Sequence, residues 1–238
     1  MWIVDFEYKD NYEVQDLVEI VRMLRSENGC PWDKVQTHQS IRADLIEEAY
    51  ETADAIDNNS SVDMCEELGD LLLQVVFHSV IAEETDEFNL SKVADGICKK
   101  LILRHPHVFS TVKADTPEQV LENWDKIKMQ EKNQVDLTDT LKSVPKAFPS
   151  LMRAQKLQKR AAKAGKGSCD SADAVNDLVK SFNDFQNEKS AEALGDMLLS
   201  VTKVAHSCGI NAEQELASSC DRFIERFEQE ERGNVKKD

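Results

Sequence analysis

Apolar residues recur at helical spacing along most of the chain. Between residues 13 and 26, Val14, Leu17, Val18, Val21 and Leu24 fall at steps of three and four, the spacing that lines up side chains on one face of an α-helix. The turn Asn28-Gly29-Cys30-Pro31 closes that run, and a second helix is predicted from about Ser40 to Asp57, with Ile41, Leu45, Ala49, Thr52, Ala53 and Ile56 as its inward positions. Asn58-Asn59-Ser60-Ser61 reads as a loop, and Ser60 or Ser61 can cap the helix predicted over about 62–84. A fourth helix is predicted from Asn89-Leu90-Ser91 to Arg104, stopped by Pro106, because proline disfavours helical backbone in the residue before it. Short connections and no convincing period-two alternation predict an all-α bundle.

The outline then returns. Leu68-Gly69-Asp70-Leu71-Leu72-Leu73 recurs as Leu194-Gly195-Asp196-Met197-Leu198-Leu199. Arg22-x-x-Arg25-x-x-x-Gly29 is loosely echoed by Gln158-x-x-Ala161-x-x-x-Gly165, and Lys100-x-x-x-Arg104 by Arg222-x-x-x-Arg226. Echoes in one order with a drifting offset are what a duplication followed by small deletions leaves. The expected organisation is two tandem helical-bundle repeats, the second degenerate: residues 1–112, a polar connecting segment 113–145 that holds Pro117 and Pro145, and residues 146–238.

Charge and cysteine content narrow the chemistry. In 238 residues, 45 Asp and Glu outweigh 29 Lys and Arg, for a formal charge of −16. An acidic surface repels a polyphosphate backbone, so direct nucleic-acid binding is not expected. The longest strongly apolar stretch, Leu71 to Phe77, is interrupted by Gln74 and is far too short to span a bilayer. The opening residues show no basic region followed by an apolar one, so export is not expected and the cytoplasm is. Cys30, Cys65, Cys98, Cys169, Cys208 and Cys220 form no C-x-x-C pair; they are expected to be small buried apolar residues rather than ligands or nucleophiles.

The chemistry-bearing residues are four carboxylates. Glu48 and Glu51 stand three apart on the second predicted helix, Glu67 and Asp70 three apart on the third, and residues at that spacing share a face. Two solvated acidic faces would look the same in isolation. On the third helix, however, Glu67, Asp70, Gln74 and His78 form one narrow stripe, while Leu68, Leu71, Leu72, Leu73, Val75 and Val76 fill the other directions. A helix apolar nearly all round is expected to be buried, which would turn the stripe towards a cleft. Carboxylates crowded there must protonate or hold cations, and no Lys or Arg lies between Leu68 and Lys92. Oxygen-only ligands suit Mg²⁺, or Mn²⁺, better than Zn²⁺.

Mg²⁺ held by carboxylates commonly serves a substrate that brings its own phosphates. Lys100 and Arg104, four apart near the end of the fourth helix, can face such phosphates or simply favour a helix C-terminus. Trp32, in Cys30-Pro31-Trp32-Asp33-Lys34, and Trp124, in Trp124-Asp125-Lys126-Ile127-Lys128, can stack on a base or pack in a core. Either His of His105-Pro106-His107 is open to a structural role.

Together these segments resemble the MazG family of nucleoside triphosphate pyrophosphohydrolases, within the all-α superfamily that includes dimeric dUTPases. The resemblance rests on Glu27-Asn28-Gly29-Cys30-Pro31-Trp32-Asp33-Lys34-x-Gln36-Thr37, Glu48-x-x-Glu51 with Glu67-x-x-Asp70, Arg104-His105-Pro106-His107-Val108-Phe109, Trp124-x-x-Ile127-Lys128-x-x-Glu131, and Leu151-Met152-Arg153-Ala154-Gln155-Lys156-x-Gln158-Lys159-Arg160. It implies Mg²⁺-dependent cleavage between the α- and β-phosphates of NTPs or dNTPs, giving the monophosphate and pyrophosphate. It further implies that Glu48, Glu51, Glu67 and Asp70 hold metal, that Lys100, Arg104 and Lys128 face phosphates, and that Trp32 and Trp124 lie on the base side. Glu47 or Glu48 would orient the attacking water. A homodimer is implied as well. A dUTPase- or dCTPase-like dNTP pyrophosphatase is the narrower alternative, and a decayed binding or regulatory protein the non-enzymatic one. In the second repeat Ser181, Asp184 and Ala193 fall where Glu48, Glu51 and Glu67 stand, with Asp196 kept, so the first repeat is expected to be the active one.

Overall fold

Three of the long helices of the amino-terminal half start where a side chain accepts from a free backbone donor. Helix α1 (Val14–Arg25) opens with Asp16 accepting from the Glu13 backbone N–H at 2.9 Å. Helix α2 (Arg42–Asp57) follows a single 3₁₀ turn at Asp33–Val35. Of the two serines offered as caps for helix α3 (Ser61–Glu84), Ser60 takes the role, its Oγ accepting from Asp63 N. Asn89 caps helix α4 (Leu90–Arg104) through Lys92 N at 3.0 Å. Pro106 ends α4 as expected and begins the short helix α5 (Pro106–Phe109), since proline at a first helical position removes only an N–H that has no partner there.

This computed structural model describes residues 6–114, 116–131, 137–166 and 170–235. Among them it is entirely helical, without a strand, adding α6 (Pro117–Glu131), α7 (Leu137–Lys142), α8 (Ser150–Lys163), α9 (Ser171–Glu188), α10 (Ala191–Ser207) and α11 (Ala212–Val235). The stretch 113–145, expected as a polar connector, therefore holds two helices, α6 and α7, with Pro117 at the first position of α6. The chain divides into two compact units at Ile127 and Lys128, within α6.

In the first unit the core lies at the far end of α3. Val18 and Val21 of α1, Ile41 just before α2, and Val76, Phe77, Val80 and Ile81 of α3 form one buried cluster, with Leu17, Leu73 and Leu90 against it. Two forked ion pairs pin α1 to the same end of α3. Arg22 donates to both carboxylate oxygens of Glu83, and Arg25 to both of Glu84 at 2.7 Å. Towards its N-terminus α3 opens out, with Leu68 48% exposed and Val62 and Leu72 exposed too. The expectation of a helix buried all round thus holds only from Gln74 onward. The core cluster reaches only that half, and in the first half Leu68 and Leu72 stay exposed while Leu71 is half-buried.

The second unit is assembled from α8–α11, with α9 packed along α10. Its buried residues are Val144, just after α7, and the small side chains of Ala174, Ser181, Ala193, Thr202 and Ala212. Gln158 ties α8 to α10, donating to the Leu199 carbonyl at 2.8 Å and accepting from Thr202 Oγ1 at 3.3 Å. The cysteines correct the expectation of burial: Cys65, Cys98, Cys208 and Cys220 are exposed and Cys30 half-buried, while Cys169 lies outside the described residues.

Candidate functional site

Helices α2 and α3 run against one another, and the i, i+3 spacing on each turns carboxylates towards the other. Glu48 of α2 and Glu67 and Asp70 of α3 each offer an oxygen, all within 4.8 Å of one another. Glu48 and Glu67 are half-buried. Desolvation first, then the neighbouring charges of Asp70, Glu51, Glu67 and Glu47, holds the Glu48 carboxyl above its ordinary range. Glu67 is raised in the same way, by desolvation and then by Glu51, Asp70, Glu66 and Asp63. Glu51 stands outside the 4.8 Å set and is exposed, yet its charge acts on both Glu48 and Glu67. Glu47 is exposed on α2 beside Glu48. Three carboxylates this close, with no ion pair to a Lys or Arg among the described residues, can hold a hard cation or share protons.

The cationic and aromatic positions are arranged differently. Lys100 is exposed on α4, and Arg104 is half-buried at its last turn. The Arg104 guanidinium lies 5.3 Å over the ring of Trp124 in α6, a cation–π contact between two positions that the sequence reading proposed separately. Trp124 is half-buried beneath it. Trp32 does not pack in a core: it is 60% exposed at the entry to the 3₁₀ turn. Lys128 belongs to α6, and its side chain lies outside the described residues.

Two arrangements in the first unit were not singled out from the sequence. Arg25, besides its pair with Glu84, donates to the carbonyl oxygens of Asp33 at 2.6 Å and Gln36 at 3.1 Å, holding the segment that carries Trp32. His38 in that segment meets His78 of α3, Nδ1 to Nδ1, at 2.8 Å. Burial, and then His38, lowers the His78 pKa. The available signal was the stripe Glu67, Asp70, Gln74, His78, whose last two members carried no assigned role. Gly29 lies where the chain folds back on α1, and a Cβ there would overlap the carbonyl oxygens of Met23 and Leu24.

In the second unit Ser181 is buried and bonds back to the Leu178 carbonyl, Ala193 is buried, and Asp184 and Asp196 are exposed. Among the described residues the one cluster of potential metal ligands is that of Glu48, Glu67 and Asp70. The changed loop at Gly167, Ser168 and Cys169 lies outside the described residues.

Residues 36–109 match the MazG nucleotide pyrophosphohydrolase domain, a span that contains all four carboxylates, Lys100 and Arg104. The nucleoside triphosphate pyrophosphohydrolase of Escherichia coli K12 is 36% identical over 230 residues, covering 92% of this chain and 88% of that protein. The nucleoside triphosphate pyrophosphohydrolase/pyrophosphatase MazG of Thermotoga maritima is 35% identical over 221 residues, covering 91% and 85%. The nucleoside triphosphate pyrophosphohydrolase of Mycobacterium tuberculosis is 39% identical over 159 residues, 66% of this chain and 48% of that one.

Proposed function

The chain belongs to the MazG family of nucleoside triphosphate pyrophosphohydrolases, and we propose that it cleaves nucleoside triphosphates to the monophosphate and pyrophosphate in its first unit. The observation that carries this reading is the convergence of Glu48, Glu67 and Asp70 from two helices within the span that matches the family domain. The donor set fits a hard divalent ion, since it is made of oxygens alone and leaves its charge uncompensated by the protein. Mg²⁺ is the proposed ion, with Mn²⁺ as a substitute, held by Glu48, Glu67 and Asp70 with Glu51 at the margin. When bound it would neutralise phosphate charge and lower the pKa of an attacking water.

The chain's own residues supply the rest. Glu48 stands inside the cluster, whereas Glu47, its exposed neighbour on α2, has a carboxylate left to accept a proton from the water that attacks phosphorus. Lys100, Arg104 and Lys128 are assigned to the phosphates. Arg104 carries the further support that its stack on Trp124 orients the guanidinium. Trp32, exposed and at the end of a braced segment, is assigned to the nucleoside end. The second unit is read as a degenerate copy that contributes structure or dimer contacts, because its matching positions hold a buried serine and alanine. The activity is assigned to the cytoplasm, where it would serve to limit aberrant or excess nucleotides.

Pyrophosphate release from a panel of canonical and modified NTPs and dNTPs, with Mg²⁺ and with EDTA, tests the reading. Glu48→Gln is expected to abolish release and Asp196→Asn to leave it within a factor of about two, a change of under half a kcal/mol in the barrier. The reverse pattern would place the active site in the second unit.

A further inference from the structure

Residues 26–41 join α1 to α2 and carry Trp32. The segment is tied to itself: Gln36 Nε2 donates to the Trp32 carbonyl at 2.9 Å, Ser40 Oγ to Gln36 Oε1 at 2.7 Å, and Thr37 N to Ser40 Oγ at 2.8 Å. A segment cross-linked in this way keeps its own shape, so its placement depends on where it is fastened. Arg25 fastens it from α1, through the Asp33 and Gln36 carbonyls. His38 fastens it from the other side, to α3.

The His38–His78 contact is an in-plane hydrogen bond. The ring planes differ by 10°, and the centroids are 5.1 Å apart with the two Nδ1 atoms 2.8 Å apart. Stacked rings would bring centroids closer than this relative to the nitrogens; here the centroid separation is the nitrogen separation plus a ring radius at each end, so the imidazoles meet edge to edge. One proton lies between them. The surroundings indicate which ring supplies it. His78 Nε2 and Gln74 Oε1 are both buried without a protein partner, one turn apart on α3. With His38 Nδ1–H as the donor, His78 carries its own proton on Nε2, a donor one helical turn from the acceptor that Gln74 offers. The opposite tautomer would leave two bare acceptors together.

The place of the bond on α3 gives it a use. His78 lies eight residues beyond Asp70, about 12 Å along one helix at 1.5 Å per residue. We infer that the His38–His78 hydrogen bond is a positioning device that registers the Trp32 segment on α3, the helix that carries Glu67 and Asp70, and so sets the hold on the nucleoside without touching the phosphate end. This rests on the reading of the first unit as the pyrophosphohydrolase site. Neither histidine contacts the reacting atoms; both act through the placement of Trp32.

The test replaces His38 in the full chain. His38→Leu removes the donor, and His38→Asn keeps an N–H on the Cγ where imidazole Nδ1 stood. For ATP with Mg²⁺, His38→Leu is expected to raise KM about five- to tenfold, the value of one lost hydrogen bond, with kcat unchanged and inhibition by inorganic tripolyphosphate unchanged. Trypsin should cut faster after the exposed Lys34, and His38→Asn should restore both KM and resistance. Wild-type KM and wild-type cleavage at Lys34 in His38→Leu would overturn the inference. So would a fall in kcat at constant KM, or a matching loss of tripolyphosphate inhibition, because either would mean that the phosphate end had moved. A wild-type chain that hydrolyses no triphosphate would instead overturn the reading of the site, and the cleavage rates at Lys34 would still decide whether the bond holds the segment.

Discussion

Glu67 is half-buried on α3, and burial together with Glu51, Asp70, Glu66 and Asp63 favours its protonated form. An unfolded chain relieves that crowding, so at neutral pH the metal-free protein is less stable than it would be with one carboxylate fewer. The sign follows from linkage: the folded carboxyls of Glu48 and Glu67 titrate above their unfolded values, so the penalty is absent in acid and grows as pH rises through the raised values. Glu67→Gln is therefore expected to raise the melting temperature of the EDTA-treated protein at pH 7 and to leave it unchanged well below the ordinary carboxylate range. Mg²⁺ reverses the order. At a hundred times its dissociation constant it stabilises the wild type by about 2.7 kcal/mol, and the variant gains little. Calorimetric scans at two pH values, with and without Mg²⁺, check both halves. The spacing of the carboxylates made this cluster legible in the sequence, because helical geometry alone converts three-residue spacing into a shared face. The His38–His78 bond was not legible, since it joins residues 40 apart through a segment with no periodicity.

Helix α3 behaves as two elements in one. Its distal half is the spine of the first unit, held by Val76, Phe77, Val80 and Ile81 and clamped to α1 by Arg22 and Arg25. Its proximal half bears the carboxylates and an uncovered apolar surface. Helix bounds were close to those that period and caps predict, because both signals are local. The miss came where burial depends on what lies opposite: periodicity alone could not show that the fully buried part of α3 begins only at Gln74. The clamp makes its own prediction. The Arg25 side chain is 4% exposed, forks onto Glu84, lies 5.3 Å over the Phe77 ring, and holds two carbonyls of the Trp32 segment. Arg25→Ala leaves those carbonyls and a cavity beside Phe77, a loss of about 2–3 kcal/mol. Chemical denaturation should show it as a lower midpoint. Glu84→Gln, which keeps the carbonyl contacts, should cost less than half as much, because the Glu84 side chain is 45% exposed and screened by water.

Taken as a single copy, each unit shows more large apolar side chains than its core consumes. In the first, Val93, Ile97 and Leu101 stand at steps of four on α4, all exposed, and α4 has no buried residue. In the second, Val175, Val179 and Phe182 of α9 and Leu194, Leu198 and Leu199 of α10 are exposed, while the buried positions are Val144 and a set of alanines, serine and threonine. Monomers seldom leave such continuous apolar faces to water, and we propose that the exposed stripe of α4 is half of an interface. A second copy of the chain is the economical partner, since a two-fold axis matches a face with itself. The net charge of −16 does not oppose this, because the stripe on α4 is uncharged and repulsion between outlying carboxylates is screened within about 8 Å at physiological salt. Sedimentation equilibrium should give about twice the 26.9 kDa of one chain. Ile97→Glu, placed at the middle of the α4 stripe, should shift the protein to monomer while retaining its helical circular dichroism. A wild type that sediments as a monomer at micromolar concentration would mean that the α4 face is covered by something other than a second copy.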